Sequence, residues 1–204
     1  MKYNIRAALW LCAIIFVFFL LQNIVDGFTD LLILDAKMAF IRFYTLLTAT
    51  FLHSGIPHLL YNLFGLALFG TILEHIIGSK RFLILFFAAG LAASLISIPF
   101  YSRILGASGA IFGVLGMLGV LRPRLVVWLY SMPMPMIIAL FVWGAGDVFG
   151  IFVPTGTANI AHLGGLGIGV ITGLFYRNQF KEKKEKKEYA YIDEEKVKEW
   201  EKSF

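Results

Sequence analysis

The sequence has a single cysteine. Cys12 stands alone inside an apolar run, so no intrachain disulfide can form, and it reads as inert packing. Charge is scarce as well. Asp, Glu, Lys and Arg make up 15% of the 204 residues, against roughly 25% in a soluble domain. More than half of those charges fall after Tyr176, so the remainder is too apolar to be an ordinary soluble domain. There is no small-residue cleavage site after Lys2, Arg6 and the first apolar run, so that run is expected to stay as an uncleaved first span. There is no internal repeat, which weighs against a transporter built from inverted halves. His53 and His58 come without a matching ligand set, so no metal is expected, and nothing calls for another cofactor.

What is present is hydrophobicity in blocks. Apolar residues make up 59% of the chain, and the mean hydropathy is +0.79. Six apolar segments are expected to span a membrane: Ala7–Val25, His58–Ile77, Phe82–Phe100, Ser108–Leu121, Pro135–Phe152 and Ala161–Tyr176. The net charge of +5 comes from bases flanking these segments and needs no nucleic acid. With six spans, Lys2 and Arg6, Lys80 and Arg81, Arg122 and Arg124, and Arg177 and Lys181 all fall on one side. That side, with both termini, is expected to be cytoplasmic, although Lys37, Arg42 and Arg103 fall on the other. The expected class is an all-α polytopic membrane protein. Residues 1–178 form one bundle, and 179–204 form a polar cytoplasmic tail. The connection Asp26–Pro57 reads as a structured element in the interface. Leu125–Tyr130 reads as a membrane-hugging segment, because Pro133 and Pro135 oppose a continuous helix from Leu125.

Two polar groups lie where apolar helices begin. Ser108 is fourteen residues before Arg122 and His162 is fifteen before Arg177, which is about 21 and 22 Å of helical rise. With Arg122 and Arg177 at one interface, a hydroxyl and an imidazole reach the same depth. A nucleophile and its base must meet in that way. Gly109, Gly113, Gly116 and Gly119 on one helix, and Gly165, Gly169 and Gly173 on the other, give small faces that let the backbones touch. Serine at such a contact is more often plain packing. An ionisable residue at membrane depth is a functional candidate by default. Backbone in Ser102–Ala107 needs partners, so it is expected to dip into protein or a wet cavity.

Gly106-Ala107-Ser108-Gly109, Ala161-His162-Leu163-Gly164-Gly165 and His58-Leu59-Leu60-Tyr61-Asn62 resemble the motifs of rhomboid intramembrane serine proteases. Arg42-Phe43-Tyr44, Phe51-Leu52-His53, Leu73-Glu74 and Gly78-Ser79-Lys80 extend the resemblance, in order, from about Arg42 to Gly173. It implies a six-helix rhomboid bundle with a Ser108–His162 dyad rather than a triad. His58 and Asn62, which share a helix face, would stabilise the oxyanion with the Ser108 backbone N–H. Gly106, Gly109 and Gly165 would support the site. Phe112, one turn after Ser108, would stack on His162 where many rhomboids have tyrosine. Arg42, His53 and Glu74 are assigned to structure, with Arg42 anchoring the Asp26–Pro57 segment, and His75 to the interface. Asp147 is the one acid loosely placed near His162. Interfacial solvation or a helix-end contact is the role expected of it.

The expected function is an endopeptidase of the cell membrane. It would cleave transmembrane protein substrates through an acyl-enzyme on Ser108. A non-cleaving rhomboid relative and a transporter or channel are the rivals. The first typically lacks the serine or the histidine, and the second needs polar residues along a path across the bilayer. Nothing in the residues sets an oligomeric state.

Overall fold

The computed structural model describes residues 7–129, 131–153 and 156–180 of the chain. Lys2, Arg6 and the tail from Lys181 onward lie outside these residues, as do the roles expected of them. Among the described residues the architecture is mostly helical. Four helices are long and apolar enough to cross a membrane, and two further apolar helices are shorter.

Helix α1 (Ala7–Ile24) buries Ala8, Leu11 and Ile15 along one stripe. It leaves Trp10, Phe16 and Val17 exposed on the others, as expected of a helix whose outer faces meet lipid. Its first amides are held by a side chain from elsewhere. Buried Glu74 accepts from the N–H groups of Ala7 and Ala8, each at 3.0 Å, and from the Ser79 hydroxyl. A carboxylate at a helix start satisfies amides that have no partner within the helix and complements the helix dipole. Glu74 therefore ties α1 to the junction after the second apolar helix.

The connection from residue 26 to 57 is structured. It holds α2 (Phe28–Leu32), β1 (Leu34–Asp35), α3 (Thr45–Thr48) and a 3-10 turn over Ala49–Phe51. Arg42 pins it, donating to the carbonyl oxygens of Asp30 and Leu31 and to the Tyr44 hydroxyl. Next come α4 (Ile56–Gly65), a π-helical turn (Leu66–Gly70) and α5 (Thr71–Ile77), which together make one continuous apolar helix. It starts two residues before His58, with Pro57 in the first turn, where a missing N–H costs nothing. Helix α6 (Ser79–Ser97) follows.

The segment after α6 finds its backbone partners in the 26–57 connection. Strand β2 (Arg103–Ile104) pairs antiparallel with β1, and the Gly106 N–H donates to the Ala49 carbonyl at 2.9 Å. Helix α7 (Ser108–Leu121) then runs through the centre of the molecule, buried along nearly all its length. The stretch expected to hug the membrane forms a β-hairpin, β3 (Val126–Leu129) against β4 (Met132–Pro135). Its side chains alternate, with Val127 and Leu129 buried and Val126 and Trp128 exposed. Helices α8 (Met136–Phe152) and α9 (Asn159–Tyr176) complete the bundle.

The core forms where α7 lies between α6 and α9. Gly113 admits Ala89 of α6 on one side and the Gly165 carbonyl of α9 on the other. Helices α7 and α9 run parallel in close contact. A Cβ at Gly165 would sit 1.9 Å from the Gly109 carbonyl oxygen, and one at Gly169 would sit 2.0 Å from that of Gly113. Only hydrogen fits at these positions. The backbones touch over two turns, which fixes the register of one helix on the other.

Candidate active site

The register locked by Gly109 and Gly165 sets the heights of the two groups beside it. Ser108 is the first residue of α7 and His162 lies in the first turn of α9. Both line a cavity of about 1600 Å³, together with His58, Asn62, Phe112 and Trp143. The Ser108 backbone N–H, at a helix start, has no acceptor within the helix. Ser108 is half-buried, and His162 is 9% exposed.

Two contacts hold the His162 ring. Phe112 stacks on its face, with ring centroids 4.3 Å apart and planes 11° from parallel. On its edge, Nδ1 lies 2.9 Å from Asp147 Oδ1. Asp147 is not the solvated or helix-end group expected of it. It is buried, 6% exposed, and faces inward from α8. With Nδ1–H as the donor in this contact, the ring's free lone pair is on Nε2.

The other wall of the cavity is set by α4. The Nδ1 of His58 receives the Ser54 N–H at 3.4 Å, with the Ser54 hydroxyl 3.1 Å away. If the amide donates, Nδ1 is the acceptor and Nε2 carries the proton. Gly106 makes room for that ring. It has φ +120°, and a Cβ there would lie 2.9 Å from His58 Nε2 and 3.8 Å from Ser108 Oγ. The missing Cβ brings a ring N–H donor to the neighbourhood of the hydroxyl. Asn62, buried one turn further along, donates one amide hydrogen to the His58 carbonyl at 2.8 Å and keeps the second.

The structure thus brings Ser108, His162, Phe112, His58, Asn62, Gly106, Gly109 and Gly165 into one neighbourhood. Residues not singled out in the sequence join them. Ser54 sets the His58 tautomer, and the Tyr101 hydroxyl receives the Ile160 N–H at 3.2 Å at the start of α9. The spacing of Ser54 and His58, four apart at the head of a helix with Pro57, was the available signal for the first. His53 packs against His58 with the rings tilted, centroids 4.9 Å apart, and its ring nitrogens have no hydrogen-bond partner among the described residues. Burial, and then the neighbouring His58, push its pKa down to about 4, so it is a neutral packing group. Among the described residues no cluster of His, Cys, Asp and Glu could hold a metal ion.

The sequence that builds this site has known relatives. The rhomboid domain profile covers residues 41–179. The chain belongs to the rhomboid family. RHOMBOID-like protein 4 of Arabidopsis thaliana is 36% identical over 133 residues, which is 64% of this chain and 33% of that protein. Rhomboid protease GluP of Bacillus subtilis is 46% identical over 80 residues, 38% of this chain and 15% of that protein. Rhomboid protein 1, mitochondrial, of Saccharomyces cerevisiae is 33% identical over 145 residues, 64% of this chain and 41% of that protein. The chain therefore matches less than half the length of each of these relatives. The rhomboid family is one of intramembrane serine proteases, and the apolar helices here are those of a membrane protein.

Proposed function

We propose that this rhomboid protein is an active serine endopeptidase that cleaves transmembrane protein substrates through a covalent acyl-enzyme. The observation that carries the reading is the presentation of Ser108 and the Phe112-stacked His162 to one cavity at the closest contact of α7 and α9. His162 Nε2 takes the proton of Ser108 as Oγ attacks the scissile carbonyl carbon. The negative oxygen that forms is met by the Ser108 backbone N–H, the second Asn62 amide hydrogen and His58 Nε2–H. The tetrahedral species collapses as the C–N bond breaks and His162 returns the proton to the leaving amine. Water, deprotonated by the same nitrogen, then cleaves the Oγ–acyl bond and restores Ser108.

In this reading residues 1–178 form a six-span protease domain of the cell membrane. Both termini are cytoplasmic, residues 179–204 form a polar tail, and the active site opens toward the opposite side. The positions of Arg122 and Arg177 at the far ends of α7 and α9 from Ser108 and His162 support this orientation. Substrates are helices that unwind locally, because a peptide bond held in a helix is a poor target for attack. The test is cleavage of a transmembrane reporter in proteoliposomes. Wild type should cut it, and Ser108→Ala and His162→Ala should not. Equal cleavage by all three would overturn the mechanism, and a purified wild type inert on every transmembrane reporter would favour a non-cleaving relative.

A further inference from the structure

We propose that Asp147 is a positioning residue for the Ser108–His162 dyad, holding His162 in its base-competent tautomer. The inference rests on the protease reading above. It goes beyond that reading because a serine–histidine pair can operate without a third group.

The argument starts from cost. Asp147 sits on α8 among Val142, Trp143, Val148 and Phe149, in a helix that is otherwise apolar. A carboxylate at membrane depth costs about 2.5–3.5 kcal/mol on insertion scales. It persists where a partner compensates it. The neighbouring Val148 and Phe149 point outward and are exposed, whereas Asp147 points into the bundle. Its Oδ2 is buried with no hydrogen-bond partner among the described residues. Its Oδ1 meets His162 at 2.9 Å, with both side chains about nine-tenths buried. Among the described residues, the carboxylate's partner is therefore the imidazole.

The geometry restrains the ring in two independent directions. Phe112 fixes the plane of the imidazole, and Asp147 fixes its rotation within that plane. A ring held only by stacking can flip and offer either nitrogen. With Nδ1–H donated to a carboxylate, only Nε2 can accept the Ser108 proton. As the imidazolium forms, an adjacent carboxylate charge would stabilise it. Asp147 itself transfers no proton and touches no substrate.

The competing role is a neutral clamp between α8 and α9, and an isosteric change separates the two. Asp147→Asn keeps the shape and can still accept from Nδ1–H, so a clamp survives it. The positioning role loses the charge, and the amide can turn its NH2 to Nδ1 and select the wrong tautomer. In proteoliposomes carrying a transmembrane reporter, Asp147→Asn should lower kcat by 10- to 100-fold with KM unchanged. Fluorophosphonate labelling of Ser108 should slow in parallel, and Asp147→Glu should recover part of the loss. A second readout needs no variant: 15N NMR of selectively labelled wild type should show neutral His162 protonated at Nδ1. Wild-type turnover and labelling in Asp147→Asn, or a wild-type ring protonated at Nε2, would overturn the positioning role. The protease reading would survive either result as long as Ser108→Ala and His162→Ala stay inert. If wild type neither cleaves nor labels, the protease reading itself has failed.

Discussion

Replacing Gly165 with alanine adds one methyl group, and the structure says where it goes. The new Cβ would lie 1.9 Å from the Gly109 carbonyl oxygen, which is backbone and cannot turn aside. A carbon–oxygen contact of this kind settles near about 3.3 Å, so α7 and α9 must part by roughly 1.4 Å. Gly109 is bonded to Ser108 and Gly165 lies one turn from His162, so the separation is passed almost undiminished to the reacting pair. A displacement of about 1 Å can cost on the order of a hundredfold in rate, and overpacking costs about 1–3 kcal/mol in stability. Gly165→Ala should therefore lose at least about a hundredfold in kcat while a folded fraction remains. Gly167→Ala is the control. It lies on the same helix two residues away, and its Cβ would meet nothing within 4 Å. It should keep wild-type turnover and gain slightly in stability, because alanine suits a helix better than glycine. The measurement is reporter cleavage normalised to folded protein, beside a thermal melt. A folded Gly165→Ala enzyme working at the wild-type rate would refute the claim that this backbone contact sets the catalytic geometry.

Three further outcomes follow from individual contacts. Glu74→Ala strips a carboxylate from the amides of Ala7 and Ala8, and should cost roughly 3 kcal/mol in a detergent unfolding titration; an unchanged midpoint would deny Glu74 its role at the start of α1. His53, with its pKa held near 4 against a usual value near 6.5, contributes full stability above about pH 6.5 and loses it progressively as pH falls toward 4, a total of roughly 3 kcal/mol. His53→Phe should flatten that part of the pH–stability curve, and an unchanged slope would mean that His53 titrates normally. Phe112→Tyr keeps the ring on His162 and should retain most activity, while Phe112→Ala loses a stacking contact worth about 0.5–1.5 kcal/mol; equal kcat values for the two would remove the stacking from the account.

Parts of this molecule were legible in the sequence because they follow from rise and steric size. Counting back from Arg122 and Arg177 puts Ser108 and His162 at one depth, and each helix runs unbroken from its polar group to its arginine. Glycines three or four apart on α7 and α9 imply backbone contact, and the contact is there. The contact between Asp147 and His162 was not legible. It depends on how α8 is rotated about its own axis, and a helix apolar on every side carries no periodic signal to fix that rotation. The α1 amides that Glu74 holds lie some 66 residues away in sequence, and no local pattern announces them. The β3–β4 hairpin could have been read further. Its prolines argued against helix, but the alternation of Val126, Val127, Trp128 and Leu129 shows no polar residue to reveal which face is buried. The second apolar helix begins at Ile56 rather than His58, and Pro57 was the cue for that earlier start.

The most direct test is chemical and concerns one oxygen atom. Wild-type protein in liposomes, treated with a fluorophosphonate and digested for mass spectrometry, should carry a single phosphonyl adduct on Ser108, and His162→Ala should carry none. An adduct on another residue, or labelling of Ser108 that does not depend on His162, would contradict the account.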